Sequence, residues 1–397
     1  MLIKRRTFLQ TTALASASLF LPKFLNAMAG TTLPNGRHKV LIVIQLTGGN
    51  DGLNTIIPYT NDLYYSSRPE IAIGKKQALR LDDDAGLNPH LPILKTLHDE
   101  GYLAVLNNVG YPEPNRSHFR SMDIWHTASN SNEYLSTGWL GRYLDRQCQD
   151  CDLPTQLVET DDILSLALKG VNFQGSTFRD PRKLYTKSQE QFYKNIGQAH
   201  QHEHEMAGYL YKILGDTINS TNYILEKSKT NPSKADYPSS TFGNNLKNIA
   251  SLIRSDINTS VYYVSLGSFD THVRQVGRQT ELFKELNAGL EVFINDLKKS
   301  NRFEDTLIMT FSEFGRRVAQ NASAGTDHGT ANNMFFISGA LRQKGIINPL
   351  PDLSNLSSGD LQYTVDFKNV YATILDKWLN SSAPDILGKD FKALDFI

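Results

Sequence analysis

The sequence is poor in cysteine, has no excess of charge of either sign, and has no long apolar run outside its N-terminal region. Its 397 residues include 41 basic and 41 acidic side chains. A membrane-spanning helix needs about 20 apolar residues, and no stretch after residue 29 offers one, so no integral membrane span is expected once an N-terminal signal is removed. Residues 1–29 hold four of the basic residues and no acidic one, which leaves 37 basic against 41 acidic residues in the remainder. That weak acidity argues against nucleic acid or an anionic membrane surface as the main partner.

The two cysteines, Cys148 and Cys151, form a single Cys-x-x-Cys. A redox motif of this kind belongs at the junction of a strand and a helix, and the polar surroundings Asp-Arg-Gln-Cys-Gln-Asp-Cys-Asp do not indicate one. A local disulfide, which an oxidising compartment allows, or a pair of free thiols is favoured over redox chemistry or zinc binding.

Residues 1–29 have the layout of a twin-arginine signal peptide. Arg5 and Arg6 precede a Phe-Leu pair, a mostly apolar stretch follows at 11–21, and Ala-Met-Ala at 27–29 is a small-x-small cleavage signature. We expect the chain to use the twin-arginine translocase and to reach the periplasm or be exported. An N-terminal helix that stays on the protein, or that anchors it to the membrane, is the alternative.

Short apolar, β-branched runs alternate with helical patterns after residue 39. Five such runs predict strands, at 39–46, 102–109, 260–266, 306–311 and 333–338. Helical patterns include those at 91–98, 277–299 and 367–379. This alternation predicts an α/β fold in which a mostly parallel sheet carries helices on both faces. We expect the domain to cover 39–397, with a polar helical insertion at about 188–240.

Polar clusters follow four of the predicted strands directly, and a fifth cluster precedes the last strand. The clusters are Asp51; Asn115, Arg116, Ser117 and His118; Asp270 and His272; Glu313, Arg316 and Arg317; and Asp327 with His328. Ligands bind outside the carboxyl ends of strands in an open α/β sheet, so these clusters predict one site rich in carboxylate and imidazole. Such groups bind zinc or manganese, and carboxylates also suit calcium and magnesium. A divalent metal ion, with zinc favoured, is the expected cofactor.

Taken singly, each cluster also has a structural interpretation. Asp51 could serve only the geometry of a glycine-rich turn, and Ser117 could cap the helix that begins near residue 119. Glu313 could form an ordinary salt bridge with the arginines that follow it. Asp327 could orient a neighbouring histidine without binding the metal itself. The placement of all the clusters at one edge favours the shared site.

The same residues carry a resemblance to an exported bacterial family of unknown function. The matching segments are Gly-Gly-Asn-Asp-Gly-Leu-Asn-Thr at 48–55, Asn-Asn-Val-Gly-Tyr-Pro at 107–112, Arg-Ser-His-Phe at 116–119, Gly-Trp-Leu-Gly-Arg at 138–142, Phe-Asp-Thr-His at 269–272, Ser-Glu-Phe-Gly-Arg-Arg at 312–317 and Gly-Thr-Asp-His-Gly at 325–329. The resemblance extends from about Val40 to the C-terminus and includes the signal. That family is similar to a branch of the alkaline phosphatase and sulfatase superfamily, which implies an alkaline-phosphatase-like fold.

The superfamily plan implies roles for individual residues. Asp270, His272 and His328 would hold one metal ion, and Asp51 with Glu313 would hold another. A nucleophile at a helix start would be Ser117, with His118 and Ser121 as the other candidates.

The sequence departs from that plan at Phe314, where a metal-binding histidine is expected. A benzyl side chain cannot coordinate a metal, so the ion beside Asp51 and Glu313 would lose a ligand. Arg316 or Arg317 would then bind the oxyanion instead, since a guanidinium group matches its geometry.

Two functions are consistent with these features. The first is a periplasmic metal-dependent hydrolase acting on an anionic ester of phosphate or sulfate. The second is a non-catalytic periplasmic binding or envelope-assembly protein that keeps the fold, and the loss of a ligand at Phe314 is typical of such a change of role.

Overall fold

A computed structural model describes residues 37–148, 155–190 and 220–397. The predicted signal at 1–29, Cys151 and most of the predicted helical insertion lie outside these ranges. At the borders of the insertion, a helix ends at Ser188 and residues 220–230 are helical. Cys148 is disulfide-bonded.

The central sheet has nine strands, and all five predicted strands belong to it. Eight strands lie in the order β11-β5-β10-β9-β1-β8-β6-β7, and β14 pairs with β5 beside β11. The bounds are β1 Val40–Leu46, β5 Leu103–Gly110, β6 Leu157–Glu159, β7 Ser176–Thr177, β8 Val261–Leu266, β9 Thr306–Phe311, β10 Asn332–Ile337, β11 Gly345–Ile346 and β14 Val365–Asp366. The remaining strands form two small sheets, β2 Ile56–Ile57 with β3 Leu79–Arg80 and β4 Gly86–Leu87, and the hairpin of β12 Leu356–Ser357 with β13 Asp360–Leu361.

The pairing confirms a mostly parallel sheet with one reversed strand. β1 is parallel to both β8 and β9, and β6 is parallel to β8. β10 is antiparallel to both of its neighbours, β5 and β9. The reversal puts the amino end of β10 at the edge where the other long strands have their carboxyl ends. The polar cluster that precedes β10 therefore reaches the same edge as the clusters that follow β1, β5, β8 and β9.

Helices cover both faces of the sheet, as the sequence predicted. Their bounds are α1 Asp62–Ser67, α2 Pro92–Asp99, α3 His118–Thr127, α4 Trp139–Gln147, α5 Pro181–Ser188, α6 Thr241–Arg254, α7 Gln275–Lys299, α8 Phe367–Thr373 and α9 Ala383–Leu387, with a π-helical segment at Ile374–Trp378 and 3₁₀ turns at Gly52–Asn54 and Leu166–Leu168. None of the helices in the described ranges is both long enough and apolar enough to cross a membrane.

The alternation of side chains along β1 divides the core into two layers. Ile42 and Ile44 belong to the apolar cluster that includes α2, α6 and α7, whereas Leu41 and Val43 belong to the cluster that includes α3, α4 and α8. Successive side chains of a strand point to opposite faces of the sheet. Since both faces of β1 are covered, its sequence is a continuous apolar run and not an alternating one.

One acidic side chain is buried at the end of β6. Glu159 is 1% exposed, and its carboxylate accepts hydrogen bonds from the backbone N–H of Ser165, at 2.6 Å, and from the Ser165 hydroxyl. Burial disfavours the charged form and raises the pKa of Glu159 to about 7, although the Ser165 hydrogen bonds act in the opposite direction.

The raised pKa predicts that stability falls as the pH rises. The unfolded chain has the ordinary carboxyl pKa, so the contribution of Glu159 is fully present below about pH 4.5 and is lost as the pH rises through about 7. We expect the free energy of unfolding of the native protein to decrease by up to about 3 kcal/mol across this window relative to Glu159→Gln. Urea unfolding of both proteins from pH 5 to 8 measures the difference, and parallel curves would show that Glu159 does not cause it.

Candidate metal centre

Side chains from three separate segments converge at the carboxyl edge of the sheet. His118 is the first residue of α3, Asp270 follows β8, and His328 precedes β10. Each offers one ligand atom, and the three atoms lie within 4.8 Å of one another. No sequence neighbours are among them, so the topology of the sheet creates this group.

The distances within the group fit a small cation. His328 Nε2 is 3.3 Å from Asp270 Oδ1, and His118 Nε2 is 3.6 Å from Asp270 Oδ2. Ligands placed about 2.1 Å from a tetrahedral zinc ion are about 3.3 Å apart. Among the described residues, His118 Nε2 is buried and has no hydrogen-bond partner. An unpaired buried nitrogen aimed at a carboxylate and a second imidazole is well suited to a metal.

His272 belongs to the same group. Its Nε2 atom lies 2.9 Å from His328 Nε2 and 3.1 Å from Asp270 Oδ1. His272 Nδ1 donates to Asp327 and His328 Nδ1 donates to the Arg116 carbonyl, so the neutral rings carry their hydrogens at Nδ1. Their two Nε2 lone pairs then face each other, and a shared cation would satisfy both. The sequence therefore identified Asp270, His272 and His328 as neighbours, and the structure adds His118 as a fourth candidate ligand.

Hydrogen bonds on the outer side of the rings fix their orientation. His118 Nδ1 is 2.8 Å from Glu313 Oε1, which also accepts the Gly48 N–H at 2.8 Å. His328 Nδ1 is 2.7 Å from the carbonyl oxygen of Arg116. Such partners hold the tautomer that directs the other nitrogen to a metal. Glu313 thus acts behind His118 in this structure, and is not among the grouped ligand atoms.

Asp327 orients a histidine and is not itself among the grouped ligand atoms, which is the structural interpretation considered for it from the sequence. Its Oδ1 atom is 3.1 Å from His272 Nδ1 and accepts a hydrogen bond from Asn321 at 3.2 Å. The hydrogen bonds from Asn321 and His272 lower the pKa of Asp327. The carboxylate is therefore ionised and holds the His272 ring from its outer side.

The environments of the two central histidines differ. The hydrogen bond that His118 donates to Glu313 raises the pKa of His118, in spite of partial burial. Burial lowers the pKa of His328, and its bond to the Arg116 carbonyl only partly offsets this. For Asp270, burial raises the pKa, but the hydrogen bonds and charges of Arg316 and the histidines hold it below the ordinary value. Asp270 is the anionic member of the group.

Arg316 holds the loops of the centre together. Its buried guanidinium donates to the carbonyl oxygens of Gly48, Gly49, Phe269 and Thr326 and, at 2.7 Å, to Asp270 Oδ1. Because these contacts occupy it and bury it, Arg316 does not face the open side of the site. The sequence predicted that Arg316 binds a substrate oxyanion. In the structure Arg316 instead positions Asp270.

The two glycines that follow β1 allow this close packing. Gly48 has φ +116°, and a Cβ atom there would lie 2.5 Å from the backbone nitrogen of Asp270. Gly49 has φ +79°, and its Cβ would lie 2.3 Å from the Phe314 ring. Only glycine fits positions that combine positive φ with contacts this short.

Phe314 forms a wall of the centre. The residue is buried, and its ring centroid lies 4.8 Å from that of His118 and 4.6 Å from that of His328. The expected histidine is absent here, and the imidazole that packs against this position is that of His118.

Asp51 is placed apart from the grouped ligand atoms, contrary to the role expected for it. Its Oδ2 atom accepts a hydrogen bond from Arg68 at 2.6 Å and another from Gln275, and its Oδ1 accepts the Leu53 N–H at 3.1 Å. Both Asp51 and Arg68 are buried. The turn interpretation and a buried ion pair account for this residue.

The candidate nucleophiles have different surroundings. Ser117 is exposed and is the N-cap residue of α3, but its side chain makes no capping hydrogen bond. Ser121 is fully buried and bonds to the carbonyl of Asn115 and to the Tyr111 hydroxyl. Ser121 is therefore excluded by burial, and His118 is turned toward Asp270 and Glu313.

Arg317 lies beside the centre and not within it. Its guanidinium is 3.3 Å from Asp360 and donates to the Ser358 carbonyl, while its backbone N–H donates to the carbonyl of Asp327 at 3.0 Å. That Arg317 binds the oxyanion of a substrate at the centre therefore stays a prediction.

The chain belongs to the family described as "Protein of unknown function (DUF1501)", which it matches over residues 101–383. No curated protein matches the chain at a significant level.

Several solved structures are similar to this fold at low identity. The lipoteichoic acid synthase LtaP from Listeria monocytogenes is 10% identical with a TM-score of 0.37, over 85% of this chain and 76% of that chain. The C-terminal periplasmic domain of EcEptC from Escherichia coli, in complex with Zn, is 12% identical with a TM-score of 0.38, over 77% of this chain and 75% of that chain. A protein in the alkaline phosphatase superfamily from Vibrio parahaemolyticus is 10% identical with a TM-score of 0.33, over 79% of this chain and 63% of that chain. Likenesses of this size carry no argument about activity, which rests below on the site itself.

The different positions of Asp51 and Asp270 predict different effects of substitution. Asp51→Asn leaves the buried Arg68 charge without its counterion, so we expect a loss of about 3 to 5 kcal/mol in stability with the metal content unchanged. Asp270→Asn removes the anionic candidate ligand, so we expect the metal to be lost. Elemental mass spectrometry on the folded fraction, together with urea unfolding, measures both effects. A folded Asp51→Asn protein without metal would restore Asp51 to the ligand set.

Proposed function

We propose that this protein is a metal-dependent hydrolase of phosphate or sulfate esters. The observation that supports the proposal most directly is the convergence of the ligand atoms of His118, Asp270 and His328, with His272 Nε2 beside those of Asp270 and His328. The motif resemblance to the alkaline phosphatase and sulfatase superfamily points to the same chemistry.

His118, Asp270 and His328 would hold the ion, with His272 as the further ligand. The preponderance of imidazole favours zinc over magnesium or calcium, which prefer oxygen ligands. Bound there, a divalent ion would polarise the ester oxygens and offset the negative charge of the transition state.

Ser117 is the residue we assign as the nucleophile. It lies between Arg116, whose carbonyl contacts His328, and His118, so both of its sequence neighbours contact the centre. The Ser117 oxygen would attack phosphorus or sulfur, the bond from that atom to the ester oxygen would break, and the alcohol would leave with the serine proton. Water would then cleave the ester on Ser117, releasing phosphate or sulfate and restoring the hydroxyl group.

We also propose that the protein is exported to the periplasm by the twin-arginine translocase, on the basis of residues 1–29 of the sequence. The metal could then be inserted before export, since that route carries folded proteins.

Substitutions at the centre are expected to separate metal binding from turnover. Ser117→Ala should keep the metal and lose hydrolysis of 4-nitrophenyl phosphate and 4-nitrophenyl sulfate by a factor on the order of 10³ or more. His328→Ala should lose both the metal and hydrolysis. Metal content and product absorbance measure these effects, with Ser136→Ala, an exposed serine outside the centre, as the matched control. Full turnover by the Ser117→Ala variant would show that Ser117 is not the nucleophile. If the metal-loaded native protein hydrolyses no ester, the non-catalytic binding function of the protein is favoured instead.

The export proposal has its own test. Replacing Arg5 and Arg6 by lysine keeps the charge but removes the paired guanidinium groups, so the precursor should accumulate in the cytoplasm. Lys4→Arg is the control, because it leaves the pair intact. Cell fractionation followed by immunoblotting measures the distribution, and unchanged export of the double variant would contradict the assignment.

A further inference from the structure

A cavity of about 350 Å³ adjoins the metal centre on the side of β5. The hairpin of β12 and β13 forms one of its walls through Ser357, Ser358 and Leu361. Phe314 lines the cavity and also packs on the rings of His118 and His328, so its ring contacts both the cavity and the centre. We call this cavity the hairpin pocket.

Two guanidinium groups share one carboxylate at the edge of the hairpin pocket. Arg116 forms an ion pair with Asp360 Oδ2, and Arg317 Nε is 3.3 Å from Asp360 Oδ1. Among the described residues neither arginine has a second acidic side chain within ion-pair distance. Asp360 is buried, whereas the Arg116 and Arg317 side chains are 43% and 37% exposed. The trio by itself therefore has a net charge of +1, and its two guanidinium groups are partly exposed to solvent.

Both arginines are tied to the metal centre through their backbone. The Arg116 carbonyl accepts the hydrogen bond that orients His328, and the Arg317 N–H donates to the carbonyl of Asp327. The surplus charge thus lies directly beside Ser117 and the candidate ligands, on the chain segments that carry them.

A second cavity at this edge of the sheet has the opposite net charge. It measures about 460 Å³ and is lined by Asp161, Arg179 and Glu285 among neutral residues. Arg179 is paired with Asp161 at 2.8 Å and with Asp162 at 3.2 Å, so this cavity has no free positive charge to offer an anion. Of these two cavities, the hairpin pocket is the one that favours an anionic group.

We propose that Arg116 and Arg317 bind a second phosphate or sulfate group of the substrate, while the group to be cleaved lies at the metal centre. A guanidinium group donates two parallel hydrogen bonds to such an oxyanion. The substrate class is therefore an ester that carries at least two anionic groups on one molecule. This inference rests on the proposed function for its first group, and it adds the second.

Binding of phosphonates tests the inference without requiring turnover, since their C–P bonds resist hydrolysis. The probes are α,ω-alkane bisphosphonates with chains of three, five or seven carbons, each compared with the alkyl monophosphonate of the same length. Isothermal titration calorimetry on the zinc-loaded protein gives the affinity ratio at each length. We expect the best-fitting bisphosphonate to bind on the order of tenfold more tightly than its monophosphonate.

Variants of the trio should change this ratio in opposite directions. Arg116→Gln with Arg317→Gln should abolish the preference, whereas Asp360→Asn should strengthen it, because the carboxylate no longer competes for the guanidinium groups. The double variant leaves the buried Asp360 carboxylate without a partner and could fail to fold for that reason. The triple variant, which adds Asp360→Asn, removes this unpaired charge and replaces the double variant in that case. Arg80→Gln, which alters an exposed arginine paired with Asp83 far along the chain, is the control and should keep the native ratio.

Each outcome supports or overturns the inference. Equal affinities at every chain length, a preference that survives in the arginine double or triple variant, or a preference lost in folded Asp360→Asn would overturn it. Matching sulfonates distinguish a phosphate from a sulfate preference. Release of phosphate from alkanediol bisphosphates is measured in parallel. A retained preference without turnover would contradict only the proposed function, and turnover without a preference would contradict only this inference.

Discussion

The guanidinium group of Arg316 is the contact on which the centre depends. It binds the carbonyl oxygens of the loop after β1, of the loop after β8 and of the segment before β10, and it also binds Asp270. These carbonyls lie in irregular backbone, where no strand or helix partner is available, and buried carbonyl groups need a donor. One side chain therefore satisfies three loops at once and fixes the carboxylate among the histidines. The cost of burying its charge is offset by Asp270, so the ligand and the structural support depend on each other.

The strands and the shared edge could be predicted from the sequence because both follow from local patterns. Continuous apolar runs such as 40–46 belong to strands covered on both faces, and the polar residues that follow them lie at the carboxyl edge. The same reasoning brought Asp270, His272 and His328 together, and the structure places their ligand atoms side by side. The orientation of β10 was not predicted, yet its reversal explains why a cluster that precedes a strand joins clusters that follow strands.

The roles of individual side chains were harder to predict, because they depend on partners distant in sequence. Nothing near Asp51 indicates that Arg68 will be buried against it, and Arg68 lies in a stretch without strand or metal motifs. His118 was considered as a nucleophile and not as a ligand, since its contact with Asp270 spans the distance from α3 to the loop after β8. A signal was nevertheless present: His118 begins a helix at the same edge as the other histidines, two residues after an arginine whose carbonyl orients His328.

The shared position of Phe314 has a thermodynamic consequence. Its ring packs against two imidazoles of the centre and also lines the hairpin pocket. A rigid ring cannot move toward one side without leaving the other, so occupancy of either space changes the packing of its neighbour. Any coupling between a metal and a ligand in the pocket is then reciprocal, and the factor by which the ligand tightens or weakens metal binding equals the factor by which the metal alters ligand binding. An apolar side chain in the place of a lost ligand would in this way link the two sites, in addition to the hydrogen bond between the Arg116 carbonyl and His328.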